Sequence, residues 1–250
     1  MPVTVHLFIP CFVDQLFPRV GIATVNILRR LGCRLIYPEA QTCCGQPAFN
    51  SGYRQESTEL GERFLKIFRE AEYIVAPSGS CVSMVKHLYG ELPFAELQRT
   101  AWEVLRRRVY EFSQFLTEVL KVEQWEGRFP ARVTYHDACH GLRELGIREQ
   151  PRRLLASIAG LELVEMENSD TCCGFGGTFS VKFPGISTAM VENKVRWIQE
   201  SGAEYVVATD SSCLMQIEGY LRRHSVPVKT LHLAELLWRA MEKTSGGDAQ

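Results

Sequence analysis

Two stretches of this sequence are copies of one another: QTCCGQPAFNSG, which holds Cys43 and Cys44, and DTCCGFGGTFS, which holds Cys172 and Cys173. Each adjacent pair is followed by a glycine, Gly45 or Gly174. Each also stands between two single cysteines, Cys11 and Cys81 in the first copy and Cys139 and Cys213 in the second. Equivalent cysteines are offset by 128, 129, 129 and 132 positions, so the two halves keep nearly one register across most of the chain. A repeat of this length marks a repeated structural unit. Here it predicts that each half gathers four thiolates into its own metal site, Cys11, Cys43, Cys44 and Cys81 in one local pocket and Cys139, Cys172, Cys173 and Cys213 in another.

The cysteine usage narrows the chemistry. No run approaches the ~18 continuous apolar residues that a membrane helix needs, and MPVTVHLFIPC lacks the basic region and apolar core of a signal peptide. Those features predict a cytoplasmic protein with no membrane span. In a reducing compartment nine cysteines are better explained by metal or catalysis than by disulfides. Cys33, in LGCRLIYP, has no counterpart in the second half and reads as a buried free thiol. A net charge of −1 leaves no basic excess for a nucleic-acid or anionic-membrane surface.

Strand and helix patterns alternate through both halves. VTVHLFIP (3–10) reads as a strand ending in Cys11, 17–32 as a helix closed by Gly32, 33–38 as a strand, 53–71 as a helix and 73–78 as a strand before a helix opening at Cys81. The order returns with strands at 132–139, 161–166 and 205–210 and helices at 149–160, about 186–202 and near Cys213. This predicts an α/β protein of two tandem, pseudo-symmetric, Rossmann-like parallel repeats, residues 1–93 and 131–241. Each would carry its four-cysteine site at the carboxyl ends of its strands, where ligands of open parallel sheets collect. A helical connection at 94–130 is expected between them, since Trp102, Leu105, Val109, Phe112, Leu116 and Val119 share a helical spacing. Arg106 to Arg108 within it read as a solvated face or a docking patch. The last helix is expected at 231–241, with 242–250 a flexible tail.

Four cysteinates suit a [4Fe-4S] or [2Fe-2S] cluster, and equally a tetrahedral Zn²⁺. Zinc sites commonly draw on C-x2-4-C pairs, which this chain lacks, whereas adjacent cysteines followed by glycine fit a compact loop presenting both sulfurs to one cluster. Ser78 and Asp210 precede the distal cysteines by three positions and read as helix caps, oxygen ligands or hydrogen-bond partners of a site. His136 and His140 bracket Cys139 and would either hydrogen-bond a cluster sulfur, meet a substrate anion or sit satisfied in the core. The glycines of GFGGTFS lack both the dinucleotide spacing and the Walker lysine.

The doubled pattern of lone cysteine, CCG and distal cysteine resembles the CCG or cysteine-rich domain family. That family includes the catalytic subunit of heterodisulfide reductase and iron-sulfur subunits of glycolate and anaerobic glycerol-3-phosphate dehydrogenases. HLFIPCFVDQLFP, CCGQPAFNSG and CCGFGGTFSVKFP are similar to its short stand-alone form, the small iron-sulfur subunits of L-lactate oxidation complexes. The fuller family pattern ends in C-x-x-C, where this chain has Ser78 in SGSC and Asp210 in DSSC. Each half therefore has one cysteine fewer than the five that hold a non-cubane cluster in the heterodisulfide reductase relatives. The resemblance implies up to two iron-sulfur clusters, [4Fe-4S] foremost, with the eight paired cysteines as ligands and no catalytic residue of its own. It also implies an electron-transfer role beside partner subunits, one of them ferredoxin-like, in oxidising L-lactate to pyruvate. A thiol/disulfide reductase, a glycolate or glycerol-3-phosphate oxidising complex and a zinc-stapled scaffold are the alternatives.

Overall fold

The computed structural model of the chain describes residues 2–245. In the first half β1 (Thr4–Leu7) is followed by α1 (Cys11–Leu16), α2 (Pro18–Arg30), β2 (Arg34–Ile36), α3 (Gln46–Asn50), α4 (Arg54–Ile67), β3 (Tyr73–Ala76), α5 (Gly79–Lys86), α6 (Glu96–Leu105), β4 (Val109–Glu111) and α7 (Phe112–Gln114). The second half runs β5 (Arg128–Tyr135), α8 (Cys139–Arg143), α9 (Glu149–Ala156), β6 (Ala159–Leu163), α10 (Thr178–Lys182), α11 (Pro184–Glu200), β7 (Tyr205–Ala208), α12 (Ser211–Arg223), β8 (Lys229–His232) and α13 (Leu233–Ser245). Among the described residues these strands form two four-stranded sheets, ordered β2-β1-β3-β4 and β6-β5-β7-β8, with every pair parallel. The two halves are thus pseudo-symmetric, Rossmann-like α/β units of one topology.

Local sequence accounts for the central elements. YIVA of β3 and YVVA of β7 are short apolar runs rich in β-branched residues, and most of each is buried, as expected of parallel strands covered on both faces. Pro18 opens α2, and Gly32 beyond its end takes the left-handed conformation that closes a helix.

The stretch expected to be a helical connection is different. The helix ends at Leu105, Arg106–Arg108 make a 3-10 turn, and Val109–Glu111 form β4, the outer strand of the first sheet, in register with Ile74–Ala76. Glu111 then restarts a helix by accepting the backbone N–H groups of Ser113 and Gln114. A three-residue strand between two helices leaves the apolar spacing nearly helical, which hides it. The basic run is partly engaged, Arg106 with Glu103 and Arg108 with the Ala71 carbonyl. At the C-terminus Leu231 and His232 belong to β8 and the last helix starts at Leu233. That helix runs through residues 242–245, expected to be tail; the remaining 246–250 lie outside the described residues.

One apolar core runs beneath both halves. It joins Val5, Leu7, Ile27 and Leu28 of the first to Val133, Tyr135, Leu154 and Val207 of the second, with Leu233, Leu236 and Leu237 of α13. The α13 helix crosses back to pack on α2, and Trp125 donates its indole N–H to the Leu237 carbonyl at 3.0 Å. Leu236 and Leu237 are fully buried, and each contributes roughly 1.5–3 kcal/mol by leaving water. Two smaller cores lie under the cysteine loops, around Phe8, Phe64, Phe68 and Tyr89 in one half and Val191, Val195, Ile198 and Ile217 in the other.

Candidate metal centres

The first four cysteines arrive from three loops at one end of the first sheet. Cys11 opens α1 just beyond β1, and Cys81 lies in the first turn of α5 just beyond β3. These are the adjacent strands between which the strand order reverses. Cys43 and Cys44 come on the loop after β2, where Gly45 sits at φ +88°. That conformation turns the Gly45 N–H back onto the Cys43 Sγ at 3.4 Å. The Gly45 carbonyl is held by the Ser57 hydroxyl of α4 at 3.2 Å, and the buried Tyr89 hydroxyl donates to the Cys44 carbonyl at 2.9 Å.

The second quartet repeats the glycine and serine bonds of this construction. Cys139 opens α8 beyond β5, Cys213 lies in the first turn of α12 beyond β7, and Cys172 and Cys173 precede Gly174 at φ +84°. The Gly174 N–H meets the Cys172 Sγ at 3.4 Å, and the Ser187 hydroxyl holds the Gly174 carbonyl at 2.8 Å. A Cβ at residue 174 would fall 2.7 Å from the Ser187 carbonyl oxygen, so glycine is required on both conformational and steric grounds.

Within each quartet the thiols lie in hydrogen-bonding contact, Cys11 with Cys43, Cys43 with Cys44 and Cys44 with Cys81, and likewise Cys139, Cys172, Cys173 and Cys213. Donation from Cys11 and Cys44 lowers the Cys43 pKa to about 3, and donation from Cys139 and Cys173 lowers that of Cys172 to about 2. The donors Cys11, Cys44, Cys139 and Cys173 are pushed up, by those same bonds and by burial. Cys213 falls to about 6, from the Cys173 contact first and the neighbouring His136 after it. A chain of thiols that already stabilises a thiolate is a donor set suited to a soft or borderline cation, and each quartet offers the four sulfurs that an iron-sulfur cluster or a tetrahedral zinc site takes.

The quartets do not occupy separate pockets. All eight cysteines line one cavity of about 170 Å³ between the two halves, with Ser78, Ser80, His140 and Asp210. Phe12 and Phe175 meet edge to face across it at 5.9 Å. Gly79 and Gly141 let α5 and α8 approach so closely that a Cβ on residue 79 would lie 3.1 Å from the Gly141 Cα. Separate sites were expected because the sequence repeat says nothing of how its copies face one another.

Ser78 caps α5, its Oγ accepting the Cys81 N–H at 3.4 Å. Asp210 precedes α12 at the equivalent position, yet its carboxylate makes no cap bond there and crosses to the other half. It accepts the Ser78 hydroxyl at 2.9 Å, and the Ser80 hydroxyl and backbone N–H at 2.7 and 3.1 Å. Burial raises its pKa, while the bonds from Ser80 and Ser78 act to hold it down.

His140 also sits on the seam. Its Nδ1 pairs with Glu144 at 3.0 Å, which leaves Nε2 to accept from the Gln46 amide at 3.4 Å. His136 is fully buried, and one ring nitrogen, the Cys173 Sγ and the Cys213 Sγ all lie within 4.8 Å of one another. Sequence reasoning did not single out Ser80 or Lys194. Lys194 is buried in α11, and its ammonium holds the Asn168 and Ser169 carbonyls at 2.6 and 3.2 Å at the start of the second cysteine loop. Aligning the halves with Ser187 on Ser57 would have exposed it, because the matching position, Phe64, is apolar.

Comparison with known proteins agrees with the repeat. The cysteine-rich domain of CCG type matches residues 5–86 and again 133–218. A lactate utilization protein A from Geobacillus sp. (strain WCH70) is 46% identical over 237 residues, covering 93% of this chain and 98% of that protein. One from Halalkalibacterium halodurans is 47% identical over 234 residues, covering 93% and 96%. Among solved structures, a hypothetical protein from Helicobacter pylori superposes with a TM-score of 0.66 at 13% identity, covering all of this chain and 50% of that one, a likeness of fold.

Proposed function

This chain belongs to the cysteine-rich CCG domain family, in its lactate utilization protein A branch, and from there we propose that it is the iron-sulfur electron-transfer subunit of a complex that oxidises L-lactate to pyruvate. The observation that carries the reading is the pair of four-thiol chains built alike around one cavity. On this reading Cys11, Cys43, Cys44 and Cys81 hold one cluster and Cys139, Cys172, Cys173 and Cys213 the other, with [4Fe-4S] the best match to four thiolates. Such a cluster takes up and gives back single electrons without a change in covalent substrate bonds.

The protein's own residues set the conditions for that chemistry. Ser57 and Ser187 fix the two glycine carbonyls and with them the direction of the paired sulfurs. Cys81 and Cys213 lie in the first turns of α5 and α12, where the backbone N–H groups and the positive end of each helix dipole gather. The surrounding apolar clusters shield Cys44, Cys81, Cys173 and Cys213 from water, while Cys11, Cys43, Cys139 and Cys172 are half-buried.

The proposal assigns hydride removal from lactate to partner subunits and the onward path to a ferredoxin-like one, since this chain has no C-x2-C-x2-C-x3-C-P run. It places the protein in the cytoplasm; among the described residues no helix is long and apolar enough to cross a membrane. The test is the iron, acid-labile sulfide and zinc content of protein purified without oxygen, read with its EPR spectrum after reduction. Iron and sulfide in matching amounts, lost stepwise when Cys43 and Cys44 or Cys172 and Cys173 become serine, is the expected result. Zinc without sulfide would replace this reading with a metal-stapled scaffold.

A further inference from the structure

We propose that the imidazole of His136 is a direct donor to the metal held by Cys173 and Cys213, which makes the second centre chemically unlike the first. The proposal rests on the reading that the quartets hold metal and goes beyond it by putting a nitrogen in place of one of the second quartet's four sulfurs, Cys139 or Cys172.

His136 follows the last residue of β5, where its backbone N–H joins the Val207 carbonyl at 2.8 Å and fixes the start of the loop that leads to Cys139. The side chain is fully buried, and among the described residues neither ring nitrogen has a nitrogen or oxygen partner. Its hydrogen-bonding contact is with the Cys213 sulfur, a weak partner, and a buried ring so poorly satisfied calls for an explanation. The Cys173 and Cys213 sulfurs lie beside it, close enough that all three donor atoms reach one ion. Neutral imidazole is a good ligand for iron and for zinc.

At the matching positions the first half carries different residues. At the cysteine offset of 128, His136 corresponds to Phe8, a fully buried ring packed on Phe64 at 5.0 Å and Phe68 at 5.8 Å. At the offset of 130 that sets Ser187 on Ser57, Lys194 corresponds to Phe64. The second quartet therefore has an imidazole and a buried ammonium around it where the first has the two packed phenyl rings of Phe8 and Phe64. Nitrogen ligation and nearby positive charge both favour the reduced, more negative state of a cluster, so the second centre is the more oxidising of the two. With clusters bound, electrons entering at the first quartet would run downhill to the second.

The experiment uses the full chain, loaded with iron and sulfide without oxygen, reduced, and labelled with ¹⁵N-histidine for pulsed EPR. A strong nitrogen coupling in the wild type, lost in His136→Phe and kept in His140→Ala, is the expected result, together with a fall in the potential of one centre alone. An iron-sulfur signal with no directly bound nitrogen in the wild type overturns the proposal and leaves the electron-transfer reading standing. Should His136→Phe fail to fold, the labelled wild type against His140→Ala still decides. Zinc without sulfide removes the electron-transfer reading, and the zinc absorption edge of the Cys43→Ser/Cys44→Ser protein then decides the donor set: a nitrogen beside sulfurs supports it, sulfur alone overturns it. A second quartet that binds neither metal also overturns it.

Discussion

The carboxylate of Asp210 crosses the seam between the two halves and takes both the hydroxyl and the backbone N–H of Ser80, at 2.7 and 3.1 Å, from the first turn of α5. A buried acid from one half thus satisfies the open end of a helix in the other, one residue before Cys81. Asp210→Ala strands two hydroxyls and a backbone N–H in the interior and is expected to cost about 2–4 kcal/mol, measured by urea unfolding of the metal-free protein. Asp210→Asn, which keeps an acceptor, is expected to cost less.

Glu111 should make stability fall with pH. Its carboxylate is buried, and burial raises its pKa from 4.5 to about 7 against the opposing bonds from Ser113 and Gln114. Between those values the folded protein holds a proton that the unfolded chain has released. Its contribution is therefore intact below the unfolded pKa and lost as pH rises through the folded one, to a total of roughly 3 kcal/mol. Glu111→Gln removes the dependence. The stability difference between variant and wild type is expected to widen from about pH 4.5 to 7 and then level off.

The two loop glycines should differ in what they tolerate. A Cβ at Gly45 meets the movable Ser57 hydroxyl at 3.0 Å, whereas at Gly174 it meets the Ser187 backbone oxygen at 2.7 Å. Gly174→Ala is expected to lower stability by about 2–3 kcal/mol and to reduce metal retention at the second quartet. Gly45→Ala should cost about half that, with thermal melts and metal content as the measurements.

Cys33 provides a control among the nine cysteines. It is buried in the core at the start of β2, has no counterpart in the repeat, and does not line the cavity. Cys33→Ser is expected to leave metal content unchanged at a stability cost of about 1–2 kcal/mol. Cys44→Ser, by contrast, is expected to empty the first quartet while the second stays loaded.

The cysteine offsets made the two-fold repeat, the four-thiol sets and the parallel α/β class legible, because a spacing pattern survives in one dimension. Ser78 was legible as a cap for the same reason, its bond to Cys81 being local. The strands β4 and β8 were not. Val109–Glu111 and Lys229–His232 are short and adjoin helices, and only pairing with β3 and β7 makes them strands. The destination of Asp210 was equally hidden, since Ser78 and Ser80 lie 132 and 130 positions away. His136 was legible as a residue near the site, while its exchange with Phe8 needed the halves to be compared position by position.

The shared core beneath the halves has a consequence for timing. Val5 and Val133, Leu7 and Tyr135 belong to one packed interior, clasped by α13 from the far end of the chain, so the halves cannot hinge apart without opening that interior to water. An electron exchanged between centres seated at the two quartets would cross a gap of constant width, set at folding and the same on every turnover. Its pace would follow from the difference in potential between the two ends, with no wait for a moving domain.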